Sequence, residues 1–282
     1  MATAATTDTI TIKDLGTVTR LGYGAMRITG RGIWGEPADP EGARAAVRRA
    51  VELGVDFIDT ADSYGPEVSE RIIAEVLHPY PAGLRIATKA GQVRTGPNKW
   101  IPVGRAEYLR QQLEMSLRRL QVDEIDLFQL HRIDPKVELA EQFGELAAFQ
   151  REGKARALGL SQVSIAQIEE ASTHFTVASV QNRYNLADRS SQDVLDYCTA
   201  HEIAFIPWAP LDAGKLANDV VDAAAQRLGA TAAQVTLAWL LQRSPMMLPI
   251  PGSSSAAHVA DNLGAASLTL DEQTVAELDA VG

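Results

Sequence analysis

Residues 57–65 read FIDTADSYG, an apolar run that stops at an aspartate and is followed by a tyrosine beside a glycine. One interpretation is a strand end with turn chemistry, because Asp, Ser and Gly favour turns for local backbone reasons. The other is a catalytic edge, in which Asp59 and Tyr64 lie at the mouth of a barrel. Asp62, between them, is interpreted as turn chemistry in either case. The segment alone leaves both interpretations open.

Similar apolar runs recur along the chain and alternate with amphipathic helical patterns. Two helix starts carry capping-box signatures, Thr231 with Gln234 and Thr269 with Glu272. Eight buried strands alternating with helices predict an α/β fold with a parallel sheet, and eight is the number that closes a (β/α)8 TIM barrel. The predicted strands are Leu21–Gly24, Val55–Asp59, Leu84–Lys89, Ile125–His131, Ala157–Ser161, Ala178–Asn182, Ile203–Pro207 and Met247–Ile250.

The two ends of the chain depart from this alternation. Ile10–Ile12 and Val18 bracket Asp14-Leu-Gly16, which predicts an N-terminal β-hairpin ahead of the first barrel strand. The Thr269 pattern predicts an extra helix at the C-terminal end. No Gly/Ser-rich linker, composition break or low-complexity tract divides the chain, so residues 1–282 are predicted to form a single domain.

Composition narrows the class of protein. The 282 residues fit one α/β barrel, and the net charge of −10 argues against a nucleic-acid surface. Cys198 is the only cysteine, which excludes an internal disulfide and a cysteine-based metal cluster, and no metal is expected. The start MATAATTDT lacks signal-peptide features, and no apolar stretch approaches a membrane span. We therefore expect a cytoplasmic monomer that binds neither nucleic acid nor membrane.

Four polar residues follow or end predicted strands: Asp59, Tyr64, Lys89 and His131. A tyrosine hydroxyl with a pKa near ~10 is a poor acid, but a nearby ammonium lowers that pKa and a carboxylate can hold the ammonium. An imidazole can hydrogen-bond a substrate oxygen. Taken singly, Lys89 reads as an ion-paired lysine and His131 as a core histidine. Together, the four suit proton delivery to a carbonyl oxygen, with another agent supplying the hydride.

These residues lie in three short motifs, DTADSYG at 59–65, ATKAG at 87–91 and QLHRID at 129–134. Four further motifs lie along the chain: LGYGAM at 21–26, GLSQVS at 159–164, VQNRYN at 180–185 and PWAPLDAG at 207–214. In this arrangement the chain resembles the aldo-keto reductases, in the branch that includes bacterial pyridoxal reductases. Gly22-x-Gly24 lacks the third glycine of a Rossmann fingerprint because Arg27 stands in its place.

The resemblance implies an NADPH-dependent reductase that converts aldehydes or ketones to alcohols, with pyridoxal as a candidate substrate. It makes Tyr64 the general acid in reduction and the base in oxidation. Lys89 would lower the pKa of Tyr64, Asp59 would pair with Lys89, and His131 would orient the carbonyl.

The resemblance also assigns the cofactor contacts. Ser161 and Gln181 would bind the nicotinamide carboxamide, and Trp208 would stack on the ring. Gln162 stands where asparagine is common, which leaves its contact with the carboxamide open. The full assigned set is Gly24, Ala25, Met26, Ser161, Gln162, Gln181, Trp208, Leu211, Gly214, Lys215, Gly252, Ser253, Ser254, His258, Asp261 and Asn262.

The stretch PIPGSSSAAHVADN at 249–262 leads from the last strand into a helix. Such a helix start can hold an anion, here the cofactor 2′-phosphate, or can be an ordinary serine-capped helix. The resemblance favours the phosphate, but His258 stands where many members have arginine and Gly252 where some have lysine. His258 supplies a charge only when protonated. The preference for NADPH over NADH is therefore expected to be modest, and weaker at alkaline pH.

Two tryptophans lie in connections at the mouth of the predicted barrel, Trp34 after the first strand and Trp100 after the third. They predict an apolar wall around the substrate, or each anchors its own loop. Two other functions remain open at this point. One is a Schiff-base lyase with Lys89 as nucleophile. The other is a sensor or regulatory protein that binds the cofactor with little turnover.

Overall fold

The computed structural model describes residues 8–211 and 218–281. Its strands are β1 (Thr9–Ile12), β2 (Gly16–Thr19), β3 (Tyr23–Gly24), β4 (Phe57–Asp59), β5 (Arg85–Ala90), β6 (Gln92–Gly96), β7 (Lys99–Pro102), β8 (Ile125–Leu130), β9 (Ala155–Ser161), β10 (Val177–Gln181) and β11 (Ala204–Phe205). Its helices are α1 (Pro40–Glu52), α2 (Val68–Leu77), α3 (Ala106–Leu120), α4 (Leu139–Arg151), α5 (Ile165–Ser172), α6 (Gln192–Ala200), α7 (Asp219–Leu228), α8 (Ala232–Arg243), α9 (Ala256–Leu263) and α10 (Glu272–Asp279). None of the helices in these ranges is long and apolar enough to cross a membrane.

Seven strands form a parallel sheet in the order β11-β10-β9-β8-β5-β4-β3. The segment 246–251 bridges its two edges. On one edge the Leu248 amide donates to Phe205 O at 2.9 Å, and on the other the Gly22 amide donates to Pro249 O at 2.9 Å. The ring of strands is thus closed by backbone hydrogen bonds, which gives a TIM-barrel-like α/β fold.

The closing segment differs from the regular strand predicted at Met247–Ile250. It forms one isolated parallel bridge, between Phe205 and Met247, rather than a ladder. Pro249 and Pro251 have no amide hydrogen, so this segment cannot donate at those two positions. The eighth position of the ring is therefore occupied by an irregular strand.

At the amino ends of the barrel strands, β1 and β2 pair antiparallel. Their inward side chains, which include Ile10, Ile12 and Val18, belong to the same buried apolar cluster as residues of the barrel interior. The Thr19 amide and hydroxyl bind the carboxylate of Asp56, which directly precedes β4, at 2.9 and 2.7 Å. This end of the barrel is filled, which leaves the carboxyl ends of the strands for chemistry.

One of the two predicted helix starts is confirmed. The Thr231 side chain accepts from the Gln234 amide, and the Gln234 side chain accepts from the Thr231 amide, which starts α8. The second is wrong. Asp271 caps α10, accepting from the Thr274 amide at 2.8 Å, so the helix begins beyond the Thr269 pattern.

An antiparallel hairpin of β6 and β7 follows β5, where the sequence indicated a connection and predicted no strands. Arg94 pairs with Trp100 across it. Its tip contains Gly96 and Asn98, both with positive φ (155° and 54°), a conformation that Gly and Asn tolerate better than other residues. The hairpin carries Trp100 to the carboxyl end of the barrel.

Candidate active site

Asp59 and Lys89 form a buried ion pair at the ends of neighbouring strands. Lys89 Nζ donates to Asp59 Oδ1 at 2.6 Å and to Thr60 O at 2.7 Å. The two side chains are 2% and 0% exposed, so each charge depends on the other. Burial lowers the pKa of Lys89, but Asp59 and Tyr64 act against it and the pKa ends above its usual value. The ammonium form is therefore retained.

Two glutamines complete the surroundings of the Asp59 carboxylate. Its Oδ2 accepts from Gln129 Nε2 at 3.2 Å and from Gln181 Nε2 at 2.9 Å. Gln181, assigned to the carboxamide, thus already uses its amide nitrogen inside the chain. Gln129 was not singled out in the sequence, although it stands two residues before His131 and so shares its face of the strand.

Tyr64 lies beside the Lys89 ammonium, whose nitrogen is 5.1 Å from the ring centroid. Burial raises the pKa of Tyr64 above its usual value, while Lys89 acts in the opposite direction with a smaller effect. Lys89 thus lowers the pKa of Tyr64, as the resemblance implies, but burial has the larger effect. Tyr64 remains a neutral phenol, with a proton to donate.

His131 lies next to Tyr64, with 5.7 Å between the ring centroids. Its Nδ1 is 3.2 Å from the Ser63 hydroxyl, a contact that the sequence did not point out. Burial, followed by the positive charges of Lys89, Arg132 and Arg94, holds the pKa of His131 well below its usual value. The imidazole is therefore neutral at physiological pH.

Trp100 forms a wall over these rings. Its centroid is 6.3 Å from that of Tyr64 and 6.1 Å from that of His131, both edge to face. The Arg94 guanidinium stacks 3.5 Å from the Trp100 ring centroid and 5.8 Å from that of Trp34. Trp34 itself is 37% exposed. The structure thus brings Trp100 against the rings of Tyr64 and His131 and places Trp34 beside Arg94.

Arg94 joins the loops around the mouth of the barrel. All three of its guanidinium nitrogens donate, and all their acceptors are backbone carbonyls. Those carbonyls belong to Gly32, Ile33, Ser63, Gly96 and Lys99. These contacts occupy all three guanidinium nitrogens of Arg94, and they fix Trp100 and the turn before Tyr64 in place.

Asp62 is a turn residue, as the sequence indicated, but it is also buried. Its backbone does lie in a turn, where its carbonyl accepts from the Glu67 amide at 2.7 Å. Its side chain, however, is buried, and Oδ1 has no hydrogen-bond partner in the described part of the chain. Burial, then the charge of Glu70, raises the pKa of Asp62 well above its usual value. The sequence could not reveal that the fold buries this carboxyl group within reach of the Glu70 charge.

The residues assigned to the nicotinamide meet at the ends of β9 and the following barrel strands. Ser161 Oγ accepts from Arg132 Nη1 at 2.9 Å. Gln162 Oε1 accepts from the Trp208 indole at 2.9 Å, which leaves the Gln162 amide nitrogen without a partner among the described residues. The Trp208 ring lies 5.7 Å from the Arg132 guanidinium and 5.4 Å from that of Arg183.

The backbone at these strand ends is unusual. Gln162 and Ala209 have φ of 57° and 53°, a region that non-glycine residues seldom adopt. Such conformations persist where the surroundings enforce them, and they cluster at ligand sites. Exposed Gln162 and half-exposed Trp208 provide an amide and an aromatic face, which suit a planar carboxamide-bearing ring. The residues present therefore fit a nicotinamide.

At the start of α9, some polar side chains form hydrogen bonds within the segment and others face solvent. Ser255 caps the helix, accepting from the His258 amide at 3.4 Å, and Ser253 Oγ accepts from the Ser255 amide at 3.0 Å. Ser254 and His258 are exposed. Asn262 is buried, and the Asp261 carboxylate accepts from the Thr231 hydroxyl at 3.0 Å.

Two glycines explain why no larger residue stands at position 252. A Cβ on Gly252 would lie 2.5 Å from the carbonyl oxygen of Gly24, and one on Gly24 would lie 2.5 Å from that of Ile250. A lysine at 252 would therefore need the backbone to shift. The same Cβ position lies 3.7 Å from Arg27 Cγ, so an exposed arginine, to which the sequence gave no role, lies beside this segment.

The remaining assigned residues differ in their surroundings. Ala25 is fully buried and its carbonyl accepts from the Ser69 hydroxyl at 3.0 Å, whereas Met26 is partly exposed. Leu211 packs against the main hydrophobic core. Gly214 and Lys215 lie outside the described residues.

Comparison with known proteins agrees with this geometry. The family model described as "Aldo/keto reductase family" matches residues 20–282. The chain belongs to the aldo/keto reductase family. An uncharacterized oxidoreductase of Schizosaccharomyces pombe is 51% identical over 281 residues, covering 99% of this chain and 91% of that protein. Pyridoxine 4-dehydrogenase of Escherichia coli is 39% identical over 271 residues, covering 94% and 95%.

Among solved structures, an aldo-keto reductase from Klebsiella pneumoniae in complex with NADPH superposes with a TM-score of 0.81. It is 25% identical, with 98% of this chain and 95% of that chain covered. This aldo/keto reductase family member is thus similar to its relatives in both sequence and barrel fold.

Proposed function

We propose that this protein reduces aldehydes or ketones to alcohols with NADP(H) as cofactor and Tyr64 as proton donor. The observation that carries the proposal is the buried Lys89–Asp59 pair, 2.6 Å apart, beside Tyr64 at the carboxyl end of the barrel. A neutral phenol and a fixed ammonium at one point suit proton transfer to a carbonyl oxygen.

In the proposed reaction, Tyr64 donates its proton to the carbonyl oxygen. The phenolate that remains is stabilised by the Lys89 ammonium, which Asp59 holds in place. His131, being neutral, has one ring N–H. For Nε2 to donate that proton to the carbonyl oxygen, Nδ1 must accept, and the Ser63 hydroxyl must then be its donor. In alcohol oxidation, the Tyr64 phenolate takes the proton back.

NADPH, when bound, supplies the hydride for the carbonyl carbon. Ser161, Gln162 and Gln181 would hold the carboxamide, with Trp208 against the ring. The exposed groups of residues 252–262, together with Arg27, would receive the adenosine end. A helix start with free amides and hydroxyls suits a phosphate. Because His258 replaces the arginine of many relatives, we propose a modest preference for NADPH over NADH.

The Schiff-base alternative has less support. A nucleophilic lysine must lose its proton, and the pKa of Lys89 is raised rather than lowered once Asp59 and Tyr64 act against burial. Its Nζ is also engaged by Asp59 Oδ1 and the Thr60 carbonyl. A lysine so fully buried is suited to stabilising charge in place.

We further propose pyridoxal as a substrate. Support comes from the 39% identity to pyridoxine 4-dehydrogenase, whose name gives pyridoxine as the alcohol it oxidises. Trp100, edge to face with Tyr64 and His131, offers an aromatic wall for a flat heteroaromatic aldehyde.

The test is NADPH consumption by the purified protein with a panel of aldehydes and ketones that includes pyridoxal. Turnover of any of them supports the reductase, and pyridoxal at the head of the ranking supports the substrate. NADPH binding without turnover across the panel would instead support a sensor. Absence of NADPH binding would refute the proposed cofactor.

A further inference from the structure

Arg132 directly follows His131, and its side chain crosses the mouth of the barrel. Nη1 donates to His131 O at 2.6 Å and to Ser161 Oγ at 2.9 Å. The guanidinium also lies over the Trp208 ring at 5.7 Å. It is close enough to the central rings that its charge lowers the pKa of both Tyr64 and His131. Arg132 therefore stands between the proton donor and the residues assigned to the nicotinamide.

The two groups that Arg132 binds are neutral. No carboxylate lies within 4.0 Å of its guanidinium in the described ranges, 8–211 and 218–281. Its Nε and Nη2 donate to no described residue, yet neither atom is sealed from solvent. Arg94, at the same mouth, differs because carbonyls occupy all its nitrogens. Of these two arginines, only Arg132 presents a half-buried positive charge with N–H donors that no described residue occupies.

The free edge of Arg132 has a particular shape. Nε and Nη2 project on the same side of the guanidinium, which is the edge that receives a carboxylate side-on. Elsewhere in this chain the same edge holds a carboxylate through one of its oxygens: Arg156 Nε and Nη2 both donate to Glu124 Oε2, at 2.8 and 2.7 Å. A half-buried cation is costly until an anion neutralises it, and no residue of the ranges 8–211 and 218–281 supplies that anion.

We propose that Arg132 anchors a carboxylate when the carbonyl substrate carries one, so that of two otherwise similar aldehydes or ketones the enzyme prefers the one with the acid group; pyridoxal, which has no carboxylate, would leave this contact unused. The inference rests on the proposed reductase function and names the substrate class for that site. Arg132 acts as a specificity residue, because its contact is with the part of the substrate that does not react. Its position next to His131 places the acid group on the same side of the pocket as the oxygen that receives the proton.

The test compares kcat/KM for 2-, 3- and 4-carboxybenzaldehyde with kcat/KM for the methyl ester of each. In the wild type, at least one acid should exceed its ester by about 10- to 100-fold, the range of a hydrogen bond to a charged group. Arg132→Gln should bring that ratio close to one, and Arg132→Lys should leave an intermediate ratio, since lysine keeps the charge but not the fork.

Arg183→Gln is the matched control. Arg183 lies on Trp208 at 5.4 Å, a distance similar to that of Arg132, but it pairs with Asp188 at 3.0 Å. Its substitution should leave the acid-to-ester ratio unchanged. NADPH binding and circular dichroism confirm that each variant is folded. An acid-to-ester ratio near one in the wild type, or one that Arg132→Gln does not lower, would overturn the proposal.

Binding separates this inference from the reductase function itself. Quenching of tryptophan fluorescence gives the affinity for benzoate and for benzamide in the wild type and in Arg132→Gln. Tighter binding of benzoate that disappears in the variant supports the anion site, even if no aldehyde is turned over. Equal binding of the two compounds in the wild type contradicts it, even if the enzyme is an active reductase.

Discussion

The central cluster (Asp59, Tyr64, Lys89 and His131) and the α9 segment (residues 252–262) lie at the same end of the barrel but are built differently. In the central cluster both oxygens of Asp59 accept hydrogen bonds, and the side chains are almost wholly enclosed. In the α9 segment Ser254 and His258 face solvent. Under the proposed function, the barrel thus holds the proton-transfer groups in place before any ligand binds, whereas the groups proposed for the adenosine end still face solvent.

The largest expected effect comes from removing the proton donor. Tyr64→Phe should lower kcat for reduction by about 10²- to 10⁴-fold, the usual contribution of general acid catalysis. The NADPH dissociation constant should change by less than about 2-fold, because the hydroxyl lies in the central cluster and away from the α9 segment. NADPH oxidation and fluorescence titration measure the two quantities. Turnover retained in this variant would remove Tyr64 from its proposed role.

Breaking the ion pair should affect both activity and stability. Lys89→Met leaves Asp59 buried without its cation, which should lower the free energy of unfolding by about 3–5 kcal/mol. Combining it with Asp59→Asn should restore much of that stability without restoring turnover. Urea unfolding of the single and double variants measures the difference. Equal stability of Lys89→Met and the wild type would show that the pair is not essential to the fold.

In the α9 segment, a substitution should strengthen cofactor binding, whereas the substitutions in the central cluster lower activity or stability. His258→Arg should tighten NADPH binding by about 5-fold, because a permanent cation would face the 2′-phosphate at an exposed position. NADH binding should stay the same, and His258→Gln serves as the uncharged control. If His258→Arg tightens the binding of NADPH and of NADH equally, residue 258 does not face the 2′-phosphate.

The smallest expected effect concerns the orientation of His131. Ser63→Ala removes the hydroxyl at Nδ1 and should reduce kcat by about 2- to 5-fold, the value of one neutral hydrogen bond. Ser63→Thr keeps a hydroxyl and should recover part of the loss. A fall in NADPH affinity in place of kcat would indicate that the turn before Tyr64 had shifted.

Much of the barrel could be read from the sequence because its strands are apolar runs that end in polar residues, as at Asp59 and Lys89. The closing segment was less regular than predicted, since prolines at 249 and 251 remove its donors. The hairpin of β6 and β7 was missed because its pairing depends on cross-strand contacts such as Arg94 with Trp100.

The residues of the candidate site could be predicted where they lie in a recognisable motif. Residues that join the site only through tertiary contacts could not be predicted. Gln129 and Ser63 are ordinary polar residues until the fold brings them to Asp59 and His131. The pKa of Tyr64 could not be predicted either, because burial outweighs Lys89 only once the barrel encloses both.

The most direct test of the central cluster is the pH dependence of kcat in both directions. The pKa of Tyr64 is raised, so its donor form persists up to alkaline pH, and the pKa of His131 is lowered, so it stays neutral. Reduction should therefore be constant between about pH 6 and 9, while alcohol oxidation, which needs the phenolate, should rise by up to about tenfold per pH unit. Reduction that declines through neutral pH while oxidation stays flat would contradict the account.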